Sequence, residues 1–433
     1  VAECLQDRLM AGIDQRRESL IETTRDLIRI PTLNPPGENY REICDHLAAR
    51  LAKSGFSAEF IRAEGALGDS DRYPRWNVIC RHDGGGGGGE CVHFNGHTDV
   101  VTVGDGWTRD PFAASVEGDR IYGRGACDMK GGLASAMIAA EAFIAACPGY
   151  RGAIEISGTA DEETGGFGGV ACLAEKGYFD PARVQHVIIP EPLNKDRICL
   201  GHRGVWWAEI ETRGRIAHGS MPFLGDCAVR HMAAVLAEME DSLFPALAAR
   251  RTAMPVVPEG ARQPTLNVNS IHGGLAEPEV DYTGLPSACV PDRCVITIDR
   301  RFLVEEDLDA VKAEITALLD RVAALRPDFS YQVRDLFEVH PVMADRDAPV
   351  VATIGAAIRD VMGIDPDFVV SPGTYDQKHI DRIGRLGNCI AYGPGVLELA
   401  HQPDEWIGIA DMMDSARVMA LGLARLFGET GRS

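Results

Sequence analysis

At 433 residues the chain exceeds what one hydrophobic core usually organises, and 45% apolar with 25% charged residues excludes a disordered or fibrous protein. A formal net charge of -21 repels polyphosphate and anionic lipid, so neither nucleic acid nor a membrane is expected as a partner. No stretch approaches the roughly 20 consecutive apolar residues of a membrane span, and residues 1–30 are charged and amphipathic, so the cytoplasm is the expected compartment.

Leu20, Ile21, Leu27 and Ile28 recur at helical spacing and predict a helix over 16–30, ended by Pro31 and the Pro35-Pro36-Gly37 cluster. Ile43, Leu47 and Leu51 predict a second helix over 40–54, with Gly55 as its stop. Strand-like alternation follows at 57–61 and 77–81. The glycine run 84–89 cannot hold one conformation cheaply and reads as a hairpin tip between strands ending near Arg81 and starting near Cys91. No nucleotide-binding glycine motif accompanies it, which leaves a phosphate cradle unsupported. Short β-rich runs at 91–94, 153–159 and 187–190 each lead into a polar cluster, with helices over 132–146 and 169–176 between them. That alternation predicts a sheet covered by helices on both faces, where chemistry collects at the carboxyl ends of strands.

From about Val205 the order becomes strand 205–212, helix 226–243, strands 265–271 and 294–299, helix 305–325 and strand 330–333, a self-contained ferredoxin-like unit. Helix 349–361, strands 367–370 and 389–392 and helix 409–427 then return to the first texture. The expected fold is α/β, with a mixed-sheet catalytic domain of residues 1–204 and 336–433 interrupted by an inserted α+β domain of residues 205–335. The 12 cysteines show no CxxC pair, and Cys91, Cys172 and Cys199 sit in apolar segments, which fits reduced, buried thiols.

Five polar clusters carry the candidate chemistry. His97-Thr98-Asp99 sets an imidazole two residues before a carboxylate able to hold its second nitrogen, although a lone histidine there also fits a satisfied core residue. In Gly125-Ala126-Cys127-Asp128-Met129-Lys130-Gly131-Gly132 a carboxylate sits among small residues ahead of a helix, where it can bridge two cations or simply cap the helix. The triplet Asp161-Glu162-Glu163 repels itself unless cations or water neutralise it. Glu191 ends an apolar strand between Pro190 and Pro192, and His401 lies in a polar loop before the terminal helix. Jointly they form the mixed nitrogen and oxygen set expected of hydrolytic zinc.

In this order and context the clusters resemble the two-zinc aminoacylase and carboxypeptidase family that includes glutamate carboxypeptidase, acetylornithine deacetylase and succinyl-diaminopimelate desuccinylase. The resemblance runs from about Leu20 to the terminal helix. It implies a zinc-peptidase catalytic domain, with the inserted ferredoxin-like domain serving as lid and dimerisation element. It also implies two divalent ions, zinc with cobalt or manganese as alternatives. Asp128 then bridges them, His97 and Glu191 complete one site, and Glu163 and His401 complete the other. Glu162 matches the general base toward a metal-bridged water, Asp99 matches the residue that orients His97, and a cis peptide is implied between Asp128 and Met129.

The segment around His218 resembles the one whose histidine enters the partner subunit's site and stabilises the oxyanion, so a homodimer is implied. Asn267, Arg301, Gly373 and Thr374 match substrate-contacting positions, although Asp299-Arg300-Arg301 alone also fits a solvated strand end. Lys378 stands where relatives carry an arginine that grips a substrate carboxylate. A lysine is a point charge without two-pronged pairing, so the acyl specificity of relatives does not transfer. The implied reaction is hydrolysis of the amide bond of a small N-acyl amino acid or related small molecule. Dipeptidase or carboxypeptidase action, release of ammonia by an aminohydrolase, and non-catalytic binding are the alternatives.

Overall fold

The periodic apolar residues form helices Arg17–Arg29 and Tyr40–Ala52, which bury Leu20, Leu27 and Ile28 and then Ile43, Leu47 and Leu51. This computed structural model describes residues 4–254, 256, 259–274, 287–326 and 328–429. It divides into two compact units, Val1–Gly201 with Met343–Val369 and Tyr375–Ser433, and His202–Val342 with Val370–Thr374.

The first unit is built on a mixed sheet in the order Ser57–Arg62, Trp76–Asp83, Ala153–Thr159, Cys91–His97, His186–Ile189, Cys389–Ala391 and Arg197–His202. Ala153–Thr159, Cys91–His97, His186–Ile189 and Cys389–Ala391 run parallel. His97, the Asp161–Glu163 triplet and Glu191 therefore emerge at the carboxyl ends of three neighbouring strands, where an α/β sheet leaves a crevice. Helix Gly131–Ala146 is buried nearly all round and packs against helices Leu5–Asp14 and Ile409–Leu426. Its stretch Ala126–Ala146 is long and apolar enough to cross a membrane, contrary to the expectation of no such stretch, yet 83% of its apolar window is buried in this fold. It is a core helix.

The hairpin expected at 84–89 does not form, because Ala153–Thr159 lies between the two flanking strands. The glycine run instead passes close to the segment leading into that strand, Gly84 N donating to Gly152 O at 2.8 Å and Gly86 N to Tyr150 O at 3.2 Å. A Cβ at Gly84 would sit 2.1 Å from Tyr150 O, so the approach needs glycine there. The helix expected over 169–176 is reduced to Cys172–Glu175 after an irregular turn through Phe167–Ala171. Helix Leu5–Asp14, strand Arg197–His202 and helix Gln377–Arg382 are elements the periodicity does not announce.

The second unit is a four-stranded antiparallel sheet in the order Thr265–Gly273, Arg293–Phe302, Gly204–Arg213 and Ser330–Val339. This is the strand order of a ferredoxin-like βαββαβ unit. Helices Ala228–Glu238 and Leu308–Leu325 pack on one face over Trp206, Ala208, Ile210, Ile296 and Ile298.

Candidate metal centre

Each cluster owes its place to a strand end or a close packing contact. His97 closes its strand, and its Nδ1 donates to the Asp99 backbone carbonyl at 3.0 Å. A carbonyl only accepts, which fixes the proton on Nδ1 in the neutral ring and leaves Nε2 as the bare nitrogen a metal needs. The Asp99 carboxylate stands farther off, 3.6 Å from Nδ1. It is engaged instead by the backbone N–H groups of Glu162 and Glu163, each at 3.1 Å, and by Asn34 Nδ2 at 2.9 Å. Asp99 thus touches the histidine through its main chain and ties down the acidic triplet through its side chain.

The triplet splits three ways. Asp161 turns into the core, accepting from Arg75 Nε at 3.0 Å and Tyr40 Oη at 2.9 Å. Glu162 Oε1 faces Lys378 Nζ at 3.4 Å, and Glu163 Oε2 lies 3.0 Å from His401 Nε2. A solvated acidic loop is excluded by these partners. Asp128 precedes a cis peptide to Met129 and reaches His97 Nε2 with Oδ1 at 3.0 Å and His401 Nε2 with Oδ2 at 3.6 Å. Glu191 Oε1 lies 3.8 Å from His97 Nε2. Gly132 brings these loops together, since any Cβ there would meet Pro190 O at 1.9 Å. One ligand atom from each of His97, Asp128 and Glu191 lies within 4.8 Å of the others, and the same holds for Asp128, Glu163 and His401.

No lysine or arginine pairs with Asp128, Glu163 or Glu191 among the described residues. The charges feel that lack. Burial, with the charge of Asp128, pushes Glu163 up to about 8 and Glu191 well above the ordinary carboxylate range. Burial works against His97, yet the Asp128 carboxylate, with that of Asp99 behind it, lifts it well above the usual imidazole range. Two imidazoles and three carboxylates that share only protons as counter-charge are a donor set suited to divalent cations.

Around this set stand residues that the motifs did not single out. Strand Trp406–Gly408 pairs with Arg120–Tyr122, which lays the segment after His401 beside the loop of Asp128. There the buried Glu405 carboxylate accepts from the backbone N–H groups of Gly125 at 3.2 Å, Cys127 at 2.8 Å and Asp128 at 3.0 Å, and from Arg124 Nη1 at 2.7 Å. Lys130 is wholly buried, donates to Ile30 O at 2.8 Å, and is pushed down to about 7 by burial. Asp376, also buried, accepts from Asn95 Nδ2 at 3.0 Å, and burial together with the charge of Glu162 lifts its carboxyl to about 7.

His218, Asn267, Arg301, Gly373 and Thr374 belong to the second unit. His218 is exposed, and its Nδ1 accepts from Ser220 N at 3.2 Å, which leaves Nε2 as the protonated donor of the neutral ring. Asn267 and Arg301 share the open face of the four-stranded sheet, Asn267 opposite Asp299, whose carboxylate takes Arg301 Nε at 2.7 Å. Gly373 N donates to Ser371 Oγ at 3.2 Å, with Thr374 following it.

A model of peptidase family M20/M25/M40 matches residues 93–425. Over 418 residues, 94% of this chain and 99% of the relative, the sequence is 28% identical to a succinyl-diaminopimelate desuccinylase from Thioalkalivibrio sulfidiphilus (strain HL-EbGR7). The fold is similar to that of human carnosine dipeptidase 1, with a TM-score of 0.74 and 20% identity over 99% of this chain and 100% of that one. It is also similar to an M20 family metallo-carboxypeptidase from Sulfolobus solfataricus, with a TM-score of 0.71 and 21% identity over 94% of this chain and 99% of that one. The chain belongs to peptidase family M20/M25/M40 and is a metal-dependent hydrolase of C–N bonds.

Proposed function

We propose that the protein is a deacylase that hydrolyses the amide bond of a small N-acyl amino acid or related N-acyl compound with two zinc ions. His97, Asp128 and Glu191 would hold one ion and Asp128, Glu163 and His401 the other. The observation that carries this reading is that Asp128 belongs to both ligand groups, each drawn together within 4.8 Å. When bound, such a pair of ions supplies the Lewis acidity that makes water a nucleophile at neutral pH and polarises the scissile carbonyl. Glu162, a member of neither group, takes the proton of the attacking water and delivers it to the leaving nitrogen. His218 donates Nε2–H to the developing oxyanion from the partner subunit of a homodimer. Asn267, Arg301, Gly373 and Thr374 orient the substrate, and the second unit acts as lid and dimerisation element.

The desuccinylase name of the relative from Thioalkalivibrio sulfidiphilus supports deacylation, while the dipeptidase and carboxypeptidase names among the fold neighbours support peptide substrates as the second reading. None of the 12 cysteines is in a disulfide bond, which supports a reducing, cytoplasmic compartment.

A screen of zinc-loaded protein against N-acyl amino acids and dipeptides, with ammonia measured in parallel, tests the reading. Release of ammonia without a carboxylate product would contradict it. On the substrate found, Glu162→Gln is expected to lose about 10²- to 10⁴-fold in kcat while keeping both metals by elemental analysis. Joint loss of metal and turnover would remove Glu162 from the role of base.

A further inference from the structure

Lys378 occupies the position at which relatives grip a substrate carboxylate, but its surroundings point elsewhere. Its side chain is 2% exposed, and Nζ lies 3.4 Å from Glu162 Oε1, the one acid it pairs with among the described residues. It rides on the short helix Gln377–Arg382, whose first turn is pinned to the sheet from below. Asp376, just before that helix, accepts from Asn95 Nδ2 at 3.0 Å, and Asn95 Oδ1 accepts from Ser157 Oγ at 2.7 Å. Ser157 Oγ meets His93 Nε2 at 2.8 Å, and His93 Nδ1 meets Glu155 Oε2 at 3.0 Å. Arg81 and Arg183 close the chain on Glu155 Oε1 at 2.8 and 2.6 Å.

The pattern has a simple origin. His93, Asn95 and His97 alternate onto one face of their strand, in parallel register with Glu155, Ser157 and Thr159. A buried polar row thus runs beneath the helix that carries Lys378 and ends at His97 itself. From that fixed base the lysine stem delivers a compact cation to one oxygen of Glu162, leaving Oε2 free of it.

We propose that Lys378 is a positioning residue for the general base, holding the Glu162 carboxylate in one orientation and thereby being withheld from the substrate. The leaving amine then needs no carboxylate for Lys378 to bind, and amides of amines without a carboxylate are within the substrate class. The inference rests on Glu162 being the base, as proposed above. Lysine suits this duty because it presents a point charge and demands no two-pronged partner.

The experiment compares Lys378→Met and Lys378→Arg zinc-loaded enzymes on two amides with the same acyl group, one releasing an amino acid and one the corresponding amine without its carboxylate. The methionine variant is expected to lose about 10- to 100-fold in kcat on both amides with KM nearly unchanged, as a misplaced base would, and arginine to recover most of the loss. A KM increase confined to the amino acid amide, or an unchanged kcat, would overturn the proposal. Should methionine prevent folding, judged by thermal melting, Lys378→Leu replaces it, since it likewise offers no donor to Oε1. A crystal structure of the folded variant gives a readout free of any assay: Glu162 should leave its present orientation or spread over several, and an unmoved Glu162 sinks the idea. Absence of amide hydrolysis by the unaltered protein would instead overturn the deacylase reading, and the crystallographic comparison still decides the role of Lys378.

Discussion

Glu405 gathers three backbone N–H groups and the Arg124 guanidinium around one buried carboxylate, and the loop it holds is the loop of Asp128. Removing one member of a buried ion pair leaves the other uncompensated and costs about 3–5 kcal/mol. Glu405→Ala is therefore expected to lower the melting temperature sharply, and the folded fraction should lose metal on dialysis faster than the parent. A folded variant with undiminished metal retention would show that Asp128 needs no such support. Neither Glu405 nor Arg124 stands out in the sequence, because the acids of His401-Gln402-Pro403-Asp404-Glu405 read as loop polarity. The usable signal was joint: an acid directly before the apolar Trp406-Ile407 pair, and an arginine enclosed by Gly123 and Gly125, two charges that can be buried only together. The clusters that meet in the candidate metal centre were easier to read, since most follow an apolar strand or open a helix. The division of labour within Asp161-Glu162-Glu163 was not, because it depends on Arg75, Lys378 and His401 arriving from three remote places.

Paired strands Cys91–His97 and Ala153–Thr159 carry a titration of their own. Burial alone would raise Glu155, but hydrogen bonding and charge from His93, with Arg81 and Arg183, hold it down at about 2 against an ordinary 4.5. A carboxylate depressed in the folded state stabilises the fold above its unfolded pKa, and that contribution is lost as pH falls through the folded value. Stability should thus drop by about 3 kcal/mol between roughly pH 4.5 and pH 2 on account of this group. Acid-unfolding midpoints measured for Glu155→Gln should change less over that window, and an identical pH dependence would refute the assignment. The same strand explains why the glycine run misled. The strands at 77–81 and 91–94 were legible, but their separation was set by Ala153–Thr159, which enters between them from much later in the chain. Periodicity reports which face of a strand is buried, and it carries no record of which strand lies beside it.

Across the whole molecule, removal of metal is the broadest test. Ligands that bind only the folded state stabilise it by about 2.7 kcal/mol at a hundredfold excess over Kd, so chelated protein should melt lower and recover on adding zinc. An unchanged melting temperature would mean that the carboxylate cluster binds no ion tightly. The proposed homodimer has its own test on the second unit, where Ile216, Phe223 and Leu224 are exposed at 51%, 78% and 57%. Isolated large apolar side chains are ordinary, but three in one loop suit a self-complementary contact. Phe223→Glu with Leu224→Glu should convert a dimer to a monomer in light scattering and, if His218 serves the neighbouring site, cut turnover with it. The ferredoxin-like order of the second unit follows from local strand and helix periods, which is why it could be read in advance, whereas the membership of Val370–Thr374 could not. One consequence concerns synthesis. In the first unit, strand Cys389–Ala391 fills the slot between His186–Ile189 and Arg197–His202, so that sheet stays open until nearly the whole polypeptide has left the ribosome. The four-stranded sheet of the second unit pairs wholly within Gly204–Val339, and nascent chains in which Met343 has cleared the ribosome should already protect this stretch from protease while everything before it is still cut.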